Sequence, residues 1–430
     1  MPVDDPDRSR LADEVHARPS QPVRTPSRVS WVAVRIKPHE RAAEFEHVGL
    51  LCMSLGAPPP PPDAVHLSIE RDDLCVRWER HGEFSTLQVQ APGRSPTPFS
   101  DPPLNRLPPG WLPGLPGRTI CAAHAKVIPA PDSIPETKDL FEFFPEHVPV
   151  GSGVGGDAAW AFTDFEVYAD RFSRFVVFDR RLTERQAGRT LQRLFEIETY
   201  KMLALLALPE ARRMMPRIVE METLLARLTG GIAGGTESDE RLLGELTGLA
   251  AQLEHDLTQS QGRFAATRAY GDLVNSRIAE IRETKIPGMQ TIHEFMSRRF
   301  VPAMATIASA ERRLSMLSER IVQVSTLLST RVDIAREAQH HALLASLNRR
   351  AEVQLHLQQA VESLSVAAIV YYAAGIVAYI AKSLKSVGVG VDVDATVGIS
   401  IPLILVIAVW AMRRAHRRVS RLFQAGQETA

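Results

Sequence analysis

Two stretches near the C-terminus constrain this chain more than any others. Leu364–Ala381 and Ala395–Met412 each run eighteen residues without a charged side chain. Eighteen helical residues are near the minimum that crosses about 30 Å of hydrocarbon. One such run could be the core helix of a soluble protein. Two in succession, joined by the short link "KSLKSVGVGVDVDAT" (Lys382–Thr396), point to a transmembrane hairpin, with spans over 364–381 and 395–412 and an external loop over 382–394. The flanks set its direction. Arg349 and Arg350 precede the first run, and Arg413, Arg414, Arg417, Arg418 and Arg421 follow the second, whereas Lys382 and Lys385 in the link are balanced by Asp392 and Asp394. An arginine excess marks the cytoplasmic side, so both termini are expected there, with 413–430 as a basic tail facing anionic lipid. Tyr379 and Trp410 stand near span ends, where amphipathic rings favour the headgroups.

Conduction through such a hairpin would need polar or ionisable groups at depth. Neither run contains an acid, a base, Asn or Gln. Tyr372, Gly375 and Tyr379 share one helical face, which favours packing against protein over lipid. In an oligomeric pore Glu362 would form the acidic ring at the mouth, and Asp392 and Asp394 could attract a cation weakly. These are the candidate metal positions.

The rest of the chain divides by proline: twenty-five of the thirty prolines lie in residues 1–150. Proline ends helices and marks turns, so strands and loops are expected first and helices afterwards. Residues 1–28 read as an extended arm. A mixed α+β domain follows over 29–180, with strands at "VSWVAVRI" (Val29–Ile36), "HLSIE", "LCVRWER", "FSTLQVQ", "TICAAHAKV" and two aromatic segments within 157–179, and a helix over 39–56. From Thr183, an N-cap followed by an acidic turn opens a helical domain over 183–302. Its expected helices run to Leu208, from Pro209 to about Leu228, to about Gln259, and from Phe264 to Arg282. A long helix follows over 303–363. Its stripe of Leu314, Leu317, Ile321, Val324, Leu328, Ala335, Ala338, Ala342 and Ala345 has coiled-coil spacing, interrupted by Arg331 and Arg349. The stripe suits either packing within the chain or a seam shared by subunits.

Chemistry is sparsely signalled. Lys plus Arg and Asp plus Glu are 50 each, which disfavours a nucleic-acid partner. The three cysteines form no C-x-x-C pair and read as buried thiols in a reducing compartment. The first twenty residues show no apolar signal-peptide core. "DEVHARP" places Glu14, His16 and Arg18 close together, a weak catalytic candidate against the plainer reading of a salt-bridged arm. "HVPVGSGVGGD" (His147–Asp157) offers Gly151, Gly153, Gly155 and Gly156 as backbone donors for an anion or cofactor. It lacks the lysine of a phosphate loop, and an ordinary loop is the simpler reading. No nucleophile elbow or zinc-protease motif occurs, and no cofactor is identified.

The segments "LADEVHARP" (Leu11–Pro19), "ETKDLFEFFPEH" (Glu136–His147) and "NRRAEVQLHLQQAVESLSVAAIVYYAAGIVAY" (Asn348–Tyr379) resemble a bacterial family of uncharacterised membrane-anchored proteins, domain of unknown function 3422. The resemblance implies a single-family chain with a C-terminal anchor and implies no chemistry. The layout is also loosely similar to CorA magnesium transporters, but their Gly-Met-Asn signature is replaced by "YIAKS" (Tyr379–Ser383). The sequence therefore suggests a multi-pass protein of the bacterial inner membrane, acting as a scaffold or regulator through its cytoplasmic part. Its partners would be the lipid bilayer, an unidentified protein and further copies of itself. A CorA-like channel and a tethered enzyme are the alternatives.

Overall fold

The computed structural model describes residues 4–8, 11–12, 20–62, 64–235, 237–386, 388, 390 and 392–427. The chain divides into two compact units, Met1–Leu327 and Leu328–Ala430.

The first unit is built on a nine-stranded sheet in the order β2-β3-β4-β1-β5-β8-β7-β6-β9. The strands are β1 (Ser27–Arg35), β2 (His66–Arg71), β3 (Leu74–Arg80), β4 (Phe84–Pro92), β5 (Arg118–Pro129), β6 (Val150–Val154), β7 (Ala159–Thr163), β8 (Ser173–Asp179) and β9 (Thr284–Lys285). Every neighbouring pair is antiparallel except β5 and β8. That parallel pair joins two half-sheets. The period of two along each strand assigns the faces. Val29, Trp31 and Ala33 of β1 enter one core with Ala123 and Ala125 of β5 and Phe175 and Val177 of β8, while Val32 and Val34 enter another.

Helices cover the first face. They are α3 (Glu184–Leu205), α5 (Asp239–Glu280) and the start of α6 (Ile292–Ser386), which contribute Leu194, Phe195, Val274, Ile278, Met296 and Phe300. The helices of the expected 183–302 domain thus share a core with the sheet, and β9 lies within that same stretch of chain. The other face carries α1 (Arg41–Ser54) with Trp111 over one half-sheet, and α2 (Thr137–Leu140) with Phe143 and Phe144 over the other.

Thr183 caps α3 through a reciprocal box with Gln186. In α4 (Leu208–Gly234), Pro209 sits in the first turn, where its missing N–H costs nothing, and Gly235 ends the helix at φ +60°. Ser238 caps α5, which is continuous where two helices were expected to meet near Gly262. Its buried stripe passes unbroken through Leu253, Asp256, Ser260, Phe264 and Thr267, and that packing outweighs the roughly 1 kcal/mol propensity cost of one glycine. Helix α6 begins at Ile292 rather than 303, carries Pro302 inside, and continues through the first charge-free run. Helix α7 (Val393–Gln427) holds the second run and much of the basic tail.

Residues 150–154, expected as loop, form β6. A Cβ on Gly151 would lie 2.2 Å from the Phe162 ring, and one on Gly153 would lie 2.1 Å from Thr284 Oγ1. These glycines let β7 and β9 close on either side.

Candidate functional site

Of the sequence's candidates, Glu14, His16 and Arg18 lie outside the described residues. Gly151 and Gly153 serve strand packing. Gly155 and Gly156 form the β6–β7 turn in left-handed conformations, but their amides are engaged: Gly155 N donates to Ile281 O at 2.7 Å, and Gly156 N to Arg282 O at 3.5 Å. The Gly155 and Gly156 amides, offered by the sequence as anion donors beside the simpler reading of an ordinary loop, bolt the turn to the end of α5. The Asp392 carboxylate accepts from Asp394 N at 3.1 Å and Ala395 N at 3.3 Å, capping α7. Among the described residues no three His, Cys, Asp or Glu side chains assemble as a metal-holding group, Glu362, Asp392 and Asp394 included.

A large cleft of the first unit follows from the sheet topology. Pairing of β5 with β8 starts at Ala123 opposite Ser173, whereas pairing with β1 extends back to Arg118. The first residues of β5 therefore have a strand neighbour on one side only. A cavity of about 570 Å³ occupies this step, walled by Val34, Leu115, Ile120 and Met202 with Arg171 and Glu198 among its polar groups. Glu198 is 3% exposed, and its carboxylate lies 2.7 Å from Lys201 Nζ, which also sits 4.7 Å from the centre of the Phe165 ring. The pair neutralises two buried charges. Cys121 lines the floor, and burial, reinforced by Glu198, pushes its thiol pKa up. A protonated thiol is a poor nucleophile, and the lining combines apolar walls with the charged Arg171 and Glu198.

On the opposite face a polar seam runs between the two apolar clusters. Ser30 Oγ and His124 Nδ1 are 2.9 Å apart, and the imidazole stacks on Phe172 at 3.9 Å. Arg174 lies over Tyr168, with its guanidinium carbon 3.7 Å from the ring centre. Tyr168 donates to Asp164 Oδ2 at 2.5 Å, and His147 Nδ1 approaches the same oxygen at 3.5 Å. Sequence reasoning missed this constellation because its members come from separate strands and loops. The one signal was His147, which closes "ETKDLFEFFPEH".

In the second unit, α6 and α7 each contain a window long and apolar enough to cross a membrane, and 6% and 0% of these windows are buried within the chain. Leu364 is 75% exposed and Val406 67%. A core helix of a soluble protein would be mostly covered. The family model for a protein of unknown function, DUF3422, matches residues 3–419. The chain belongs to the DUF3422 family. The match takes in the sheet, its helices and both apolar windows. No curated protein matches the chain.

Proposed function

We propose that this member of the DUF3422 family is a scaffold or regulatory protein anchored in a bacterial inner membrane, with the sheet-based unit as its working part. The observation that carries the proposal is the pair of charge-free windows left uncovered by the chain. Such surface is unfavourable in water by about 25 cal/mol per Å² of apolar area. The arginine asymmetry of the flanks supports both termini in the cytoplasm. The test is alkaline extraction of membranes carrying the full chain. The protein should stay in the pellet. The double variant Ile369→Arg/Val406→Arg, costing about 3 kcal/mol per arginine at mid-span, should shift it to the supernatant. Full extraction of the unaltered chain would sink the proposal.

Self-association is the second element of this reading. Leu314, Leu317 and Ile321 of the α6 stripe are buried, but Ala335, Ala338, Ala342 and Ala345 are exposed, as are Leu343, Leu347 and Leu357 nearby. Small and apolar residues at this spacing suit a seam with a second copy. The intact protein in detergent should then have the mass of an oligomer, and a strictly single-chain mass would contradict the seam. Neither CorA-like transport nor tethered catalysis has a comparable observation in its favour: the spans hold no Asp, Glu, His, Lys or Arg, and burial raises the pKa of the thiol in the cleft.

A further inference from the structure

A second, smaller cavity of the first unit has the opposite character. It measures about 300 Å³ and is walled by Gln186, Arg189 and Arg193 of α3, by Glu280 and Arg282 at the end of α5, and by Gly155 of the β6–β7 turn. Arg189 and Arg193 stand four residues apart, so α3 presents them on one face. The lining holds three guanidinia against one carboxylate, a formal charge of +3 − 1 = +2. That carboxylate is already committed: Glu280 accepts from Arg193 Nε at 2.9 Å and from Arg277 Nη1 at 2.6 Å. Burial pushes the Glu280 pKa up, but Arg277 and Arg193 outweigh it and hold the group ionised, below the usual carboxylate range. Arg189 is exposed and forms no ion pair among the described residues. Among the described residues the Arg282 side chain makes only a long 3.4 Å bond, from Nη2 to Gly155 O, and the residue holds a left-handed backbone at φ +49°. A non-glycine residue kept there costs free energy, and such strain collects at functional positions. The same turn that consumes the Gly155 and Gly156 amides braces the Arg282 backbone, since Gly156 N donates to Arg282 O.

We propose that this pocket binds a phosphate monoester, with Arg189 and Arg282 as its principal ligands and Arg193 as a support held in place by Glu280. Guanidinium groups match the paired oxygens of phosphate, and the excess positive charge matches a dianion. The volume admits the phosphate and a small attached group. The phosphate could be that of a soluble small molecule or of a lipid headgroup, and the experiment separates the two.

The full-length protein in detergent is titrated calorimetrically with inorganic phosphate, with glycerol 3-phosphate, and with phosphatidic acid in mixed micelles. Arg189→Gln and Arg282→Gly are titrated beside it. Glycine relieves the backbone at φ +49°, so Arg282→Gly should unfold at the same temperature or higher, and any loss of binding is not a loss of fold. Saturable binding of glycerol 3-phosphate, weakened at least about tenfold in each variant, supports a soluble ligand. The same pattern with phosphatidic acid alone supports a lipid headgroup. No saturable binding of any probe, or binding equal in wild type and both variants, overturns the proposal.

Discussion

His124 sits at 4% exposure on β5, bonded to Ser30 and stacked on Phe172. Burial dominates its titration, with Asp170 opposing and Arg174 adding, and pushes its pKa down from 6.5 to about 4. The folded chain thus keeps the imidazole neutral where the unfolded chain protonates it. Its contribution to stability is complete above pH 6.5 and is lost as the pH falls towards 4, a total of about 3 kcal/mol by linkage. Chemical denaturation between pH 7 and 4 should show a shallower fall for His124→Gln, whose amide stays neutral, than for wild type. Parallel curves would refute the assignment. At this scale the sequence was least informative. The helical spacing of Arg189 and Arg193 is visible in it, but Arg282 joins them only because the β6–β7 turn folds onto the end of α5. Likewise His147, Asp164 and Tyr168 meet through strand pairing and loop return, which no local pattern encodes.

Strand β6 shows how tertiary packing overrides local preference at the level of an element. Its "VGSGV" has weak β propensity, yet all five residues are buried between β7 and β9. Gly151→Ala should destabilise the protein by about 1–3 kcal/mol, since the new methyl meets the Phe162 ring. Thermal unfolding reads this directly, and an unchanged midpoint would mean that the β6–β7 spacing is not set by the missing side chain. Elements with strong periodicity were legible. The β1 to β4 segments, β5 and the Thr183 cap all stand where β-branched alternation and capping chemistry put them. Breaks were read less well. Pro302 and Gly262 lie inside helices because their neighbours bury a continuous stripe on either side.

For the whole molecule, the charge-free runs and their arginine flanks were readable directly, because hydrocarbon thickness and charge bias act on composition rather than on contacts. The shared core of sheet and helices was not, because the pairing of β9 with β6 is a long-range event. The central claim is an anchor formed by the two apolar windows, with both chain ends on one side. Its most direct test places single cysteines at Gly390 and after Ala430 in a full-length chain whose Cys52, Cys75 and Cys121 are replaced by alanine. A membrane-impermeant maleimide is then applied to sealed vesicles with the outer face of the membrane exposed. The account predicts that the residue 390 cysteine is labelled at once and the C-terminal one only after the vesicles are opened. Labelling of both in sealed vesicles, or recovery of the protein outside the membrane fraction, would contradict it.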